Sequence, residues 1–232
     1  MIRLPQKRLI RRLAMHHSVL MAAAVAGGFS LYVTRPYPDA ITRASFATGY
    51  VALALLALTL WMGPWNLLRG RRTPISQDLR RDVGIWTGIT GLAHTAIGLN
   101  VHLRGRPWLY FLYRQSEGPH WIPLRHDLFG FANYTGLAGS VLLLVLFATS
   151  NDYALRALTT PRWKQLQRWN YVLFAMVILH TAAYQKIEKK HASFIAILVI
   201  CVAITLLLQG FGFWVRRSRA TQTGQKIGMG SI

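Results

Sequence analysis

Of the eight histidines in this 232-residue chain, only His94 and His180 fall well inside apolar stretches of membrane-spanning length. Imidazole is the side chain best suited to hold a transition metal or to move a proton near neutral pH. His16 and His17 stand where the first apolar stretch begins, and His102, His120, His126 and His191 stand near the ends of others. An ionisable group inside a membrane-length stretch points to function, although a lone one more often serves to hydrogen-bond two helices together. Here two occur at matching depth. His94 comes 12 residues after Asp82, and His180 comes 12 after Arg168, the last charged residue before each stretch. At about 1.5 Å per residue both lie roughly 18 Å in, slightly past the middle of a core about 30 Å thick. Two neutral imidazoles at one level on parallel helices could ligate opposite faces of a haem iron. That would leave no open position for oxygen or substrate and restrict the chemistry to one-electron transfer.

Around His94, the run Gly84-Ile85-Trp86-Thr87-Gly88-Ile89-Thr90-Gly91-Leu92-Ala93-His94-Thr95-Ala96-Ile97-Gly98 sets Gly91 and Gly98 at i−3 and i+4. Both fall on the histidine's own face of a helix, where a flat macrocycle could approach the backbone. Ordinary close packing of helices through small residues uses the same spacing, so both readings stand on spacing alone.

The elements that would hold these residues follow from the distribution of charge. The chain is 53% hydrophobic and 15% charged, well below the quarter or so usual in soluble domains. Its 27 Lys and Arg against 7 Asp and Glu give a formal charge of +20. Those charges cluster between apolar stretches of about 17–25 residues, the length that crosses a bilayer. No segment remains to build a basic soluble domain, which excludes nucleic acid as the partner and leaves membrane lipid. The stretches are 15–34, 45–65, 83–102, 128–148, 169–185 and 192–215. They are apolar on all faces instead of alternating, so helices are expected. The fold class expected is an all-α, six-transmembrane-helix bundle occupying 15–215, between a basic leader (1–14) and a basic tail (216–232), with no internal repeat. Ala24-Val25-Ala26 also fits a signal-peptide cleavage site, and the first stretch is read as a retained helix.

Eighteen of the Lys and Arg fall in the leader, the second and fourth loops and the tail, and nine in the other three loops. The positive-inside rule then puts both termini in the cytoplasm. The long outer connection 103–127 carries Trp108, Tyr110, Phe111, Tyr113 and Trp121, rings that partition at headgroup level. It reads as an interfacial anchor or as a lid over the bundle's outer end. Cys201, the single cysteine, lies in an apolar run and can form neither an internal disulfide nor a Cys-based metal site.

Two motif groups carry a family resemblance. Arg80-Arg81-Asp82-Val83-Gly84-Ile85-Trp86 leading to His94 resembles the third-helix motif of the ferric-reductase-like transmembrane superfamily. Phe147-Ala148-Thr149-Ser150-Asn151-Asp152, then Arg162-Trp163-Lys164-Gln165-Leu166 and His180, resembles its fourth-loop and fifth-helix signature. Within that superfamily the chain looks most like the haem-binding membrane subunit of the bacterial periplasmic methionine sulfoxide reductase system. The resemblance spans about 45–215. It implies haem b held by His94 and His180, an inner-membrane location, and an oxidoreductase component working with a protein partner. Gln167 stands where many members carry a further histidine for a second haem, so one haem is expected. No dinucleotide fingerprint is present, so electrons must come from quinol or a reduced flavoprotein, with flavin or quinone as the further carrier. The basic cluster Arg71, Arg72, Arg80, Arg81, Arg162 and Lys164 could hold a phosphate-bearing donor, or anionic lipid. The reading from another class is a non-catalytic accessory subunit of a larger membrane complex.

Overall fold

Three helix starts are written in short acceptor side chains. Asp39 accepts the backbone N–H of Thr42 at 2.9 Å, Asp127 that of Gly130 at 2.7 Å, and Asn151 that of Ala154 at 2.8 Å. Each satisfies an amide that the first helical turn leaves without a carbonyl. In the computed structural model, which describes residue 10 and residues 13–34, 37–69, 77–103, 105–114, 121–188 and 192–229, these caps open α2, α4 and α5. The helices in order are α1 (Ser18–Val33), α2 (Ala40–Leu68), α3 (Gln77–Gly98), α4 (Leu128–Ala148), α5 (Asp152–Gln167), α6 (Asn170–Ile187) and α7 (Ala192–Met229). A single π-helical turn, Leu13–His17, precedes α1. A 3-10 turn, Pro107–Tyr110, and the bridge between Leu112 and Leu124 fold the connection before α4 into a small hairpin. No strand occurs among the described residues. The leader's Arg3, Lys7, Arg8, Arg11 and Arg12, and also Arg71, Arg72, Arg104, Lys189 and Lys190, lie outside the described residues.

Four helical segments are long and apolar enough to cross a membrane: Ala14–Val33, Ala40–Leu68, Leu128–Ala148 and Phe194–Ser218. Their outer faces carry exposed Phe29, Val141, Leu144, Leu206 and Phe213, an apolar surface that suits lipid and not water. The chain is a multi-pass membrane protein. α3 and α6, the two helices bearing His94 and His180, fall short of that apolar threshold because they carry the polar side chains of the interior. Thr87, Thr95, Thr181, Tyr184 and Gln185 all face a shared cavity.

α2 is the hub. More than half of its apolar stretch is buried (56%), against 6% for α1, and it packs against α1, α3, α6 and α7. The most extensive helix pairings are α2 with α3 and α4 with α6, so the bundle is two helix pairs joined through α3 and α4. Pro64 lies inside α2 and cannot donate to the Leu60 carbonyl one turn back. Gln209 of α7 supplies the missing donor, its Nε2 reaching Leu60 O at 2.9 Å. Nearby, Trp61 Nε1 donates to Thr205 Oγ1 at 2.8 Å. Gln209→Leu leaves the Leu60 carbonyl without that bond and should cost about 1–3 kcal/mol, read as a lower thermal midpoint in detergent.

The N-terminal turn docks onto a buried carboxylate. Asp82, fully buried in α3, is contacted by His16 Nδ1 at 2.9 Å and His17 Nε2 at 3.5 Å. Trp86 Nε1 donates to His17 Nδ1 at 3.2 Å. On the same side of the bundle, α5 is a helix where the charge-rich sequence suggested only a loop. It breaks at Thr159, whose φ of 63° lies just before Pro161. Arg81 ties its start down through an ion pair with Asp152.

Candidate functional site

Between α2, α3, α4 and α6 lies a cavity of about 210 Å³. Leu53, Leu56, Leu143, Leu173 and Val177 line one end; Tyr37, Tyr50, His102, Gln185 and Glu188 line the other. His94 and His180 stand between these ends, with ring centroids 6.1 Å apart and planes crossing at 81°.

Each imidazole is held from behind by a helix carbonyl. His94 Nδ1 lies 2.8 Å from Ser45 O on α2, and His180 Nδ1 lies 2.8 Å from Ala132 O on α4. A carbonyl only accepts, so both Nδ1 atoms carry the proton and both Nε2 atoms carry the lone pair. That is the tautomer a metal requires, with the outer nitrogen oriented by a backbone acceptor. At 6.1 Å between centroids the two rings would be close enough to hold one metal ion between them. Among the described residues no group of three or more His, Cys, Asp or Glu could hold a metal ion.

The two glycines singled out on α3 occupy different surroundings. A methyl at Gly91 would come within 2.5 Å of Leu143 Cδ2, so this glycine lets α3 close onto α4, while also lining the cavity. A methyl at Gly98 would meet only Ser45 Oγ at 3.6 Å, and Gly98 lines the cavity as well. Gly91→Ala is therefore expected to destabilise by about 1–3 kcal/mol through overpacking. Gly98→Ala should stay within about 1 kcal/mol of the parent, both measured by thermal denaturation in detergent.

Sequence reasoning passed over the polar end. His102 stacks on Tyr184 with centroids 6.2 Å apart and planes 9° from parallel, and its Nε2 lies 3.7 Å from Glu188 Oε1. Tyr184 in turn contacts the His180 ring at 5.0 Å and donates to Asn133 Oδ1 at 2.9 Å. The available signal was spacing: Tyr184 follows His180 by one helical turn, and His102 follows His94 by two. Gln185 donates to Tyr50 OH at 2.6 Å, while its Oε1 is buried without a partner.

The hairpin before α4 lines this end through Tyr110 and Phe111. Tyr110, almost fully buried, donates to Gly98 O at 3.1 Å and accepts from the His102 amide at 2.9 Å. Arg125 braces the hairpin, bonding Asp127 and lying over the Tyr113 and Phe129 rings. Desolvation pushes the Asp127 carboxyl up, but the bonds from Arg125 and the Gly130 amide outweigh it and hold the group below the usual aspartate range. Trp108 and Trp121 are exposed on this hairpin. Gln167, by contrast, is not part of the cavity; its Oε1 accepts from Asn170 Nδ2 at 3.2 Å and its Nε2 is buried without a partner.

No protein-family model matches the sequence. Over 190 residues the chain is 29% identical to the protein-methionine-sulfoxide reductase heme-binding subunit MsrQ of Ralstonia nicotianae, a match covering 82% of this chain and 78% of that protein. The chain is thus similar to a haem-binding subunit of a protein-methionine-sulfoxide reductase, in agreement with the resemblance carried by the motifs around His94 and His180.

Proposed function

We propose that this chain is the haem b-carrying electron-transfer subunit of a two-component membrane reductase, with His94 and His180 as the axial ligands of a single haem. The observation that carries the reading is the pair of imidazoles 6.1 Å apart, each with Nδ1 bonded to a helix carbonyl. The likeness to the MsrQ haem-binding subunit supports it. So does the cavity, whose leucine-lined end suits the apolar edge of a porphyrin and whose polar end suits its carboxylate edge. Haem held by two imidazoles supplies one-electron chemistry with no open coordination position.

The chain's own residues do the rest. Ser45 and Ala132 orient the two rings through their carbonyls, and Gly91 and Gly98 make room along α3. Tyr110 shuts out water at the outer end. In this reading the chain crosses the bacterial inner membrane six times with both termini cytoplasmic. Quinol or a reduced flavoprotein delivers electrons from one side, and a partner protein accepts them outside. Single occupancy rests on Gln167, whose amide is a poor iron ligand and which stands away from the cavity.

Detergent-extracted protein should show a reducible low-spin b-type spectrum, with pyridine haemochrome analysis giving one haem per chain. A protein that purifies folded and colourless, and binds no added haem, would refute the proposal.

A further inference from the structure

The two histidine supports are the same device built twice, and the inference drawn from it rests on the haem reading. On α2 the accepting carbonyl is Ser45 and the residue four positions on is Gly49; on α4 they are Ala132 and Gly136. A helix carbonyl already accepts the amide of residue i+4, and its second lone pair opens sideways beneath the side chain of that same residue. A β-carbon there covers it. At Gly49 an added Cβ would stand 2.9 Å from His94 Cε1 and 3.0 Å from Nδ1; at Gly136 it would stand 2.7 Å from His180 Nδ1 and 2.8 Å from Cε1. The glycines therefore occupy the places where a side chain would push each ring off its carbonyl. The sequence repeats the pattern: Thr48-Gly49 with His94-Thr95-Ala96, and Thr135-Gly136 with His180-Thr181-Ala182. The carbonyl-to-histidine separations are 49 and 48 residues.

We infer that Gly49 and Gly136 are positioning residues which, by exposing the Ser45 and Ala132 carbonyls, fix both the Nδ1–H tautomer and the near-perpendicular setting of His94 and His180. Two consequences follow. An Nδ1–H bonded to a carbonyl makes Nε2 a stronger donor to iron, which lowers the reduction potential. Imidazole planes set at 81° leave the two π-type d orbitals of low-spin ferric iron nearly equal in energy. The electron paramagnetic resonance signal is then strongly anisotropic, instead of the ordinary rhombic signal of parallel planes.

The test compares Gly49→Ala and Gly136→Ala with Gly139→Ala, which lies one turn from Gly136 and has its nearest atom at an ordinary 3.7 Å. Haem content, midpoint potential and the resonance signal are read on each purified protein. Gly49→Ala and Gly136→Ala should lower haem affinity at least about tenfold, the range for lost ligand-orienting contacts, and the haem they retain should show a raised potential and a less anisotropic signal. Gly139→Ala should match the parent in all three. Alanine variants at Gly49 and Gly136 that keep the parent's haem affinity, potential and signal would overturn the inference while leaving the haem reading intact. A parent protein without haem would overturn that reading instead. If the variants fail to fold, nitrogen-15 histidine resonances of the haem-free parent decide. Protonation at Nδ1 of both rings supports the device, and protonation at Nε2 of either one overturns it.

Discussion

Alanine at either His94 or His180 is expected to abolish stable haem retention, and the double variant is expected to be no worse than either single one. The reason is geometric. The rings face one cavity from opposite helix pairs, 6.1 Å apart, so in the proposed reading both would hold the haem and neither could be replaced from its neighbourhood. His102, the nearest further imidazole in the cavity lining, stacks against Tyr184 and contacts Glu188. Disturbing a group that merely orients a metal ligand costs about 10–100-fold in affinity, and losing the ligand itself should exceed that. Effects of two residues that act as one unit do not add. Haemochrome content of the purified variants, with circular dichroism to establish the fold, checks both statements. A variant that keeps the parent's full haem complement would remove its histidine from the ligand set.

The second large effect is expected at the other end of α3. Removing His16 and His17 together by alanine substitution takes away the two imidazoles that contact the fully buried Asp82 carboxylate. Taking hydrogen-bond donors from a buried acceptor costs about 1–3 kcal/mol, and more when the acceptor is charged. The double variant should therefore be much less stable than the parent. Adding Asp82→Asn should restore part of the loss, because an amide tolerates burial better than a carboxylate. Thermal unfolding of the three proteins in one detergent would show the order. Equal midpoints for the double and triple variants would mean that the imidazoles do not stabilise the buried Asp82 carboxylate.

Much of the helical framework is legible in the sequence, because insertion into a bilayer demands long charge-free runs and polar loops. The stretch 128–148 coincides with α4 as built, and the stretches at 169–185 and 192–215 fall within a residue or so of where α6 and α7 begin. α2 and α3 start earlier than their apolar runs, at Ala40 and Gln77, since a cap such as Asp39 marks a helix start better than hydropathy does. α5 is hidden for the opposite reason: its Arg156, Arg162, Lys164 and Pro161 read as loop, yet Ala154 and Leu155 turn inward while the charges stay in water. His94 and His180 stand out as rare polar groups in apolar surroundings. Their supports do not, because Gly49 and Gly136 lie on other helices, and a search along the histidines' own helix finds Gly91 and Gly98 instead. Only the pairing of α2 with α3 and α4 with α6 turns the doubled Thr-Gly and His-Thr-Ala patterns into a recognisable unit.

A main-chain carbonyl neither takes up nor releases a proton in the range where cells live. Because both imidazole N–H groups end on such carbonyls, the supports behind the two rings offer nothing that could be protonated. In the proposed reading, an electron reaching the haem would draw no proton through these two bonds.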